Sequence, residues 1–163
     1  MSGNVRGTAA RILCLVEGGG FADAIIDGTI RREGFENPSD AALLTELVMG
    51  TLRNRLLLDE ITGKYLRKSL ERADPFVRNA LRIGAYQLLF LTRIPHHAAL
   101  NETIEAVKRK KGRKLAGFAN GVLRSIQRDL GEEAFSQFRQ SLPLHVKHSV
   151  PDWMVAELRR YFD

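Results

Sequence analysis

The residues with the clearest chemical potential are basic and are concentrated in one short stretch. The run from Lys108 to Lys114 places six cations within seven residues, interrupted only by Gly112. Cations near the carboxyl end of a helix complement its dipole, so a solvated helix end is one explanation. A cluster this dense is also suited to neutralising the phosphates of a nucleic acid. The charge pattern alone leaves both explanations open.

We predict an RNA-phosphate-binding surface that combines part of this run with arginines from earlier in the chain. The candidate RNA-binding residues are Arg6, Arg11, Arg53, Lys110, Lys111, Arg113 and Lys114. The whole chain has a formal net charge of +6 and an isoelectric point of about 9.8, which favours polyanionic partners. Most aromatic residues fall at apolar periodic positions, so the sequence gives no evident signal for base stacking.

Side chains suited to nucleophilic or metal-dependent catalysis do not form a recognisable pattern. Adjacent His96 and His97 point in different directions, and no carboxylate stands at a metal-ligand spacing from them. Cys14, the single cysteine, lies among aliphatic residues and is expected to pack as a small hydrophobe. Glu102 and Glu105 share a helical face and are expected to be solvated or ion-paired. We therefore predict no catalytic residue and no metal site within this chain.

A cofactor-binding loop is not expected either. Gly18-Gly19-Gly20 follows a helical pattern rather than a strand, and the sequence contains neither a phosphate loop nor a GxGxxG motif. The three glycines predict a turn that ends a helix. We therefore predict no dinucleotide or S-adenosylmethionine pocket in these residues.

Helical periodicity extends over nearly the whole chain. Proline follows a capping side chain at Asn37 and at Asp74, which indicates two helix starts. Residues 75–91 are apolar on almost every side, which predicts a buried central helix. Gly50 lies inside a helical pattern, where it is either tolerated or marks close packing, and close packing is favoured. Gly84 lies on the apolar face of the central helix and is expected at a close helix contact. No segment alternates between apolar and polar residues with period two, so strands are not expected. The 163 residues therefore predict one all-α bundle of about seven to nine helices.

The basic run lies between two predicted amphipathic helices, 98–110 and 115–128, that are hinged at Gly112. Asn101 and Asn120 are expected to bond backbone groups at or near the helix starts. Residues 142–151 predict either a linker or an extended segment strapped to the compact body, before a C-terminal helix. The sequence has no apolar stretch long enough for a membrane span and no signal core, so a cytoplasmic location is expected.

Five segments resemble, in order and spacing, the motifs of the NusB family. They are Arg6 with Ala9-Ala10, residues 46–53, residues 81–88, residues 95–102 and residues 120–124. The resemblance covers residues 4–128 and implies a NusB-like helical fold that binds RNA. That family includes free transcription antitermination factors and the N-terminal domain of RsmB-like (Sun) ribosomal RNA cytosine-5 methyltransferases.

The residues after the last motif favour the second group. The segment from Lys147 to Met154 is similar to the one by which RsmB-like enzymes join this domain to their methyltransferase part. The resemblance therefore implies an RNA-binding domain at 1–138, followed at 139–163 by a linker toward a methyltransferase domain absent from this sequence. That domain would use S-adenosylmethionine to methylate a cytosine of small-subunit ribosomal RNA.

Two other functions remain open at this point. The chain could be a free antitermination factor that binds a leader RNA and a small ribosomal protein. It could also be a structural domain that packs on a catalytic neighbour without touching RNA.

Overall fold

The computed structural model describes residues 4–162, which form ten α-helices and one short 3₁₀ turn at Leu70–Arg72, with no strand among them. The helices are α1 (Val5–Glu17), α2 (Ala22–Glu33), α3 (Pro38–Arg53), α4 (Arg55–Gly63), α5 (Pro75–Phe90), α6 (His96–Lys111), α7 (Arg113–Asp129), α8 (Glu132–Ser141), α9 (Leu144–Lys147) and α10 (Asp152–Phe162). The all-α prediction is confirmed. The helix count exceeds nine because the four-residue α9 lies within the stretch predicted as a linker.

Three helices begin at the capping side chains that the sequence offers. Asn4 Oδ1 accepts hydrogen bonds from the backbone amides at the start of α1, at 2.9 and 3.2 Å. Asn37 caps α3 and Asp74 caps α5 in the same way, and Pro38 and Pro75 occupy the first helical positions. These caps satisfy amide groups that have no partner inside the helix. The predicted starts of α3 and α5 are confirmed.

Helix α5 is the centre of the bundle, as its nearly continuous apolar surface predicts. Its residues from Phe76 to Leu88 are buried except for Arg78, and α1, α3, α4, α6 and α7 pack around it. A Cβ atom on Gly84 would lie 2.5 Å from Cδ1 of Leu123 on α7, so the glycine allows these helices to approach closely. A Cβ atom on Gly50 of α3 would overlap the ring of Tyr86. Both predicted close contacts are confirmed.

A buried arginine ties three helices together. Arg82 of α5 donates to both carboxylate oxygens of Asp59 on α4, at 2.6 and 2.9 Å, and to Glu17 on α1 at 2.5 Å. Glu17 also accepts from Arg78 at 2.6 Å. Burial raises the pKa of Glu17, but the two guanidinium groups outweigh it and hold that pKa below its usual value.

The segment before α10 packs on the body of the protein in a compact conformation. Helix α9 contacts α4, and the hydroxyl of Ser149 accepts a hydrogen bond from the Leu57 amide at 3.2 Å. Of the two alternatives predicted for residues 142–151, a linker or a strapped extended segment, the structure has a segment that is attached to the body, and it is partly helical rather than extended. Helix α10 contacts α9, while Trp153, Tyr161 and Phe162 remain largely exposed.

Two predicted capping roles are wrong. Helices α6 and α7 begin at His96 and Arg113, so Asn101 and Asn120 lie inside them rather than at their starts. Asn120 instead accepts from Arg124 Nε one turn later, at 3.1 Å. None of the described helices combines the length and apolar character needed to cross a bilayer.

Candidate nucleic-acid interface

The predicted basic run forms a sharp corner between two packed helices. Gly112 has φ 89°, a left-handed value that glycine adopts readily, and it joins the end of α6 directly to the start of α7. His96 at the start of α6 lies 3.5 Å from Gln127 near the end of α7, so the two helices are antiparallel. The six cations of residues 108–114, which we call the basic corner, are all exposed at this junction.

Two members of the basic corner are partly neutralised. Arg109 pairs with Glu105 one turn earlier, at 3.1 Å, and Lys111 Nζ lies 2.8 Å from the carboxylate of Asp74. Within residues 4–162, Lys108, Lys110, Arg113 and Lys114 have no such acidic partner. These four side chains therefore carry most of the uncompensated charge of the corner.

The contact between Lys111 and Asp74 gives that lysine a structural role. Asp74 caps α5 through the amides of Phe76 and Val77 while it holds Lys111. Burial raises the pKa of Asp74, but the ammonium group and the two amides outweigh it and hold that pKa below its usual range. Lys111 is therefore anchored to the fold and offers less free charge than its sequence position predicted.

A basic cleft of about 300 Å³ adjoins the corner between α1 and α6. Its lining includes Arg11 from α1 together with Arg109 and Lys110 from α6. The two helices are parallel here, because Asn4 donates to the Glu102 carbonyl at 2.7 Å and Arg11 lies near Lys110. Arg11 also pairs with Glu33 at 2.5 Å. The structure thus brings Arg11 to the same surface as Lys110, as predicted.

Arg6 occupies a different environment from the one predicted. Its Nε donates to the fully buried Gln87 at 3.0 Å, and Gln87 donates in turn to Thr103 at 3.0 Å. Burial lowers the pKa of Arg6, partly opposed by the carboxylates of Glu102 and Asp40. Arg6 therefore joins α1 to α5 and α6. Its contact with RNA stays a prediction, and the observed contacts favour a packing role.

Arg53 lies on another part of the molecule. Arg53 is the last residue of α3, and its charge acts on Tyr86 of α5. Asp74, which pairs with Lys111 of the basic corner, lies at the start of α5. Tyr86 is roughly 18 Å along the helix from Asp74, at a rise of about 1.5 Å per residue. Burial and the hydrogen bond to Glu46 raise the pKa of Tyr86 to about 12, against the opposing effect of Arg53. The structure does not bring Arg53 to the basic corner.

A second surface feature beside the corner was missed by sequence reasoning. A groove of about 670 Å³ lies between residues 65–74 and α7, and we call it the α7 groove. Phe118 is part of its lining and has 42% of its surface exposed, although most aromatic residues of the sequence fall at apolar periodic positions. The signal available in the sequence was Gly117 and Gly121, which leave the helix face beside Phe118 without side chains.

The described residues contain no group of three or more His, Cys, Asp or Glu side chains placed to hold a metal ion. Cys14 is half-buried, and Asn79 lies 3.5 Å from its sulfur. Burial raises the pKa of the Cys14 thiol, so the reactive thiolate is disfavoured. The basic corner and the α7 groove therefore offer cationic and apolar surface for binding a ligand.

Comparison with known proteins gives a consistent family assignment. A family model described as "NusB family" matches residues 3–128. A probable ribosomal RNA small subunit methyltransferase B of Bacillus subtilis (strain 168) is 34% identical over 138 residues, which cover 84% of this chain and 30% of that protein. The ribosomal RNA small subunit methyltransferase B of Vibrio vulnificus (strain YJ016) is 34% identical over 156 residues, 96% of this chain and 35% of that protein. The chain spans about a third of the length of these relatives.

Solved structures share the fold. The antitermination factor NusB, in a crystal structure with NusE and double-stranded RNA, matches with a TM-score of 0.72 and 26% identity over 78% of this chain and 96% of that chain. NusB of T. maritima matches with a TM-score of 0.70 and 25% identity over 81% of this chain and 94% of that chain.

Proposed function

The chain belongs to the NusB family, and on that basis we propose that it is an RNA-binding domain that contacts phosphates through its basic corner. The supporting observation is the position of Arg113 and Lys114 in the first turn of α7. The helix dipole favours cations at the end of α6 but disfavours them at the start of α7. A solvated helix end therefore accounts for the four cations at the end of α6 but not for Arg113 and Lys114, whereas phosphate binding accounts for all six.

The solved relatives add support of a different kind. The NusB structure with NusE contains double-stranded RNA, so this fold is compatible with an RNA ligand. In our chain, Arg11 and Lys110 at the cleft between α1 and α6 extend the basic surface beyond the corner. We infer that an RNA backbone follows this surface from the cleft to the start of α7.

We further propose that the bound RNA is small-subunit ribosomal RNA and that the domain serves a cytosine-5 methyltransferase. The curated relatives are named as ribosomal RNA small subunit methyltransferases. The match to the Vibrio vulnificus protein spans 156 residues and therefore extends past the family model into the helices after α7. Residues 139–163 would lead from this domain toward the catalytic part.

Any S-adenosylmethionine site is proposed for that catalytic part and not for these residues. The cofactor of such enzymes sits on a strand-helix fold, whereas residues 4–162 are helical and contain no strand. The turn at Gly18 to Gly20 follows α1, where Gly20 donates to the Leu15 carbonyl at 3.0 Å. That turn ends a helix and does not form a phosphate loop, so we assign it no role in cofactor binding.

The second candidate function is a free NusB-type antitermination factor. It is favoured by the match to 96% of the NusB chain in the NusE complex, which means that this chain contains nearly the whole of that fold. The reading frame beyond the Asp163 codon distinguishes the candidates. A continuation that encodes a methyltransferase domain supports the first function, and a stop codon at that point supports the second.

Phosphate contact is tested by neutralising the unpaired cations of the corner. We expect Lys108, Lys110, Arg113 and Lys114, all changed to Gln, to weaken binding of duplex RNA by about tenfold or more, because several phosphate contacts are lost together. Fluorescence anisotropy measures the affinity. The matched control changes Arg55, Arg93, Arg159 and Arg160 to Gln, which removes the same charge from exposed positions elsewhere. Equal weakening by both variants would indicate general attraction and would contradict a binding site at the corner.

A further inference from the structure

Ser149 follows helix α9 in a backbone conformation that usually requires glycine. Its φ is 52°, and among residues 4–162 no other residue except glycine has a positive φ. The Ser149 amide donates to the Val146 carbonyl at 3.1 Å, and the Val150 amide donates to the His145 carbonyl at 2.9 Å. These two hydrogen bonds form a helix end of the Schellman type, in which glycine usually occupies the left-handed position because it has no Cβ atom. Serine at this position therefore carries a conformational cost that glycine would avoid.

The Ser149 hydroxyl makes a contact for which glycine has no atom. It accepts a hydrogen bond from the Leu57 amide, 92 residues earlier in the chain, at 3.2 Å. Leu57 is fully buried and lies in the first turn of α4, where backbone amides have no partner inside the helix. Asn54 precedes α4 but does not cap it, and its side-chain amide donates instead to the Gly50 carbonyl at 2.9 Å. Ser149 therefore supplies the cap that the residues next to α4 do not.

Few other contacts hold the chain after α8 against the body of the protein. No residue between 143 and 162 is buried. Within residues 4–162, the bond from Leu57 to Ser149 is the only hydrogen bond between residues 143–162 and the chain before them. His145 Nδ1 lies 3.5 Å from a carboxylate oxygen of Asp152, so α9 and the start of α10 share a polar contact. A segment that buries so little surface opens easily unless a specific contact holds it.

We propose that Ser149 is a positioning residue that holds residues 142–151 against α4 and thereby fixes the direction of α10. Its backbone ends α9 while its hydroxyl caps α4, so loss of the hydroxyl contact would free α9 and leave the buried Leu57 amide without its partner. Helix α10 contacts α9, and its exposed aromatic residues Trp153, Tyr161 and Phe162 keep a defined position only while α9 is held. The cap on α4 offsets the cost of a left-handed serine. This role does not rest on RNA binding.

The rate of trypsin cleavage after Lys147 in the 163-residue chain tests the proposal. Lys147 lies half-buried in α9, so cleavage there requires residues 142–151 to open. We expect Ser149→Ala and Ser149→Gly each to speed this cleavage by about 2- to 10-fold, the usual effect of losing one hydrogen bond. Mass spectrometry measures the fragment that ends at Lys147.

Two controls isolate the hydroxyl contact. Synthetic peptides of residues 142–154 with Ser, Ala or Gly at position 149 correct for the preference of trypsin itself. Ser141→Gly is the matched variant, because the Ser141 hydroxyl donates only to the Phe138 carbonyl of its own helix, at 2.7 Å. We expect it to leave the rate of cleavage after Lys147 unchanged.

Amide hydrogen exchange shows whether the opening is local. We expect the Leu57 amide and those of residues 144–150 to exchange faster in both Ser149 variants, while the amides of the central helix α5 keep their rates. Equal acceleration throughout α5 would show a general loss of stability and would overturn the positioning role.

A role confined to the backbone of Ser149 gives a different order of rates. Ser149→Ala keeps the Cβ atom, so its cleavage rate would equal that of the unmodified chain. Ser149→Gly would be cleaved more slowly, because glycine adopts the left-handed conformation at a lower cost. Either of these two results would overturn the proposal that the hydroxyl holds residues 142–151 against α4.

Discussion

Individual side chains in this protein are fixed by charge pairs that the helical pattern does not reveal. Arg82 lies on the central helix at an otherwise apolar stretch, yet only 6% of its surface is exposed and it holds Glu17 and Asp59 on two other helices. The apolar pattern predicted that α5 is buried but not that it carries a buried charge. The partners lie 65 and 23 residues away along the chain, so only the fold identifies them.

The pH dependence of stability tests this charge network. The pKa of Glu17 is lower in the folded protein than its ordinary value of about 4.3, so Glu17 stabilises the folded state fully above that value. Its contribution is lost as the pH falls through the lowered pKa. We expect Glu17→Gln to reduce the free energy of unfolding at neutral pH and to have progressively less effect in acid.

Urea denaturation at a series of pH values provides the measurement. Glu157→Gln is a suitable control, because Glu157 makes only an exposed contact with Arg160, at 3.4 Å. A destabilisation by Glu17→Gln that does not change between neutral and acidic pH would show that the carboxylate charge is not what stabilises the fold.

At the scale of helices, the sequence predicted where helices start more completely than which side chains pack against them. The starts of α3 and α5 follow from Asn37, Asp74 and their neighbouring prolines, and these signals act within a few residues. The predicted close packing at Gly50 and Gly84 is correct. The identities of Tyr86 and Leu123 as the opposing side chains depend on how whole helices are arranged, which local signals do not specify.

Gly84 provides the stability test at this scale. We expect Gly84→Leu to cost more than about 2 kcal/mol, because the new side chain would enter the space of the fully buried Leu123 and strain the packing of α5 on α7. Thermal and urea denaturation measure the change. Gly117→Leu is the matched control, because a Cβ atom on Gly117 meets no neighbour within 4 Å. Equal stability of both variants would show that α5 and α7 do not pack closely at Gly84.

At the scale of the whole molecule, the resemblance to the NusB family predicted the fold and the extent of the family match. The candidate site was predicted less completely. Arg11 and Lys110 meet at one cleft as expected, but Arg6 turns inward to Gln87 and Arg53 lies elsewhere. A count of basic residues in the sequence does not distinguish an arginine that binds a buried amide from one that faces solvent. Phe118 was missed because exposure is set by the neighbouring helices.

The most direct test of the central claim is the salt dependence of duplex RNA binding by two variants of equal charge. One variant changes Lys108, Lys110, Arg113 and Lys114 to Gln, and the other changes Arg55, Arg93, Arg159 and Arg160 to Gln. Each phosphate contact contributes about 0.7–0.9 to the slope of the logarithm of the binding constant against the logarithm of the salt concentration. We predict a clearly flatter slope for the first variant and a slope close to that of the unmodified chain for the second. Equal slopes for the two variants would contradict phosphate binding at the basic corner.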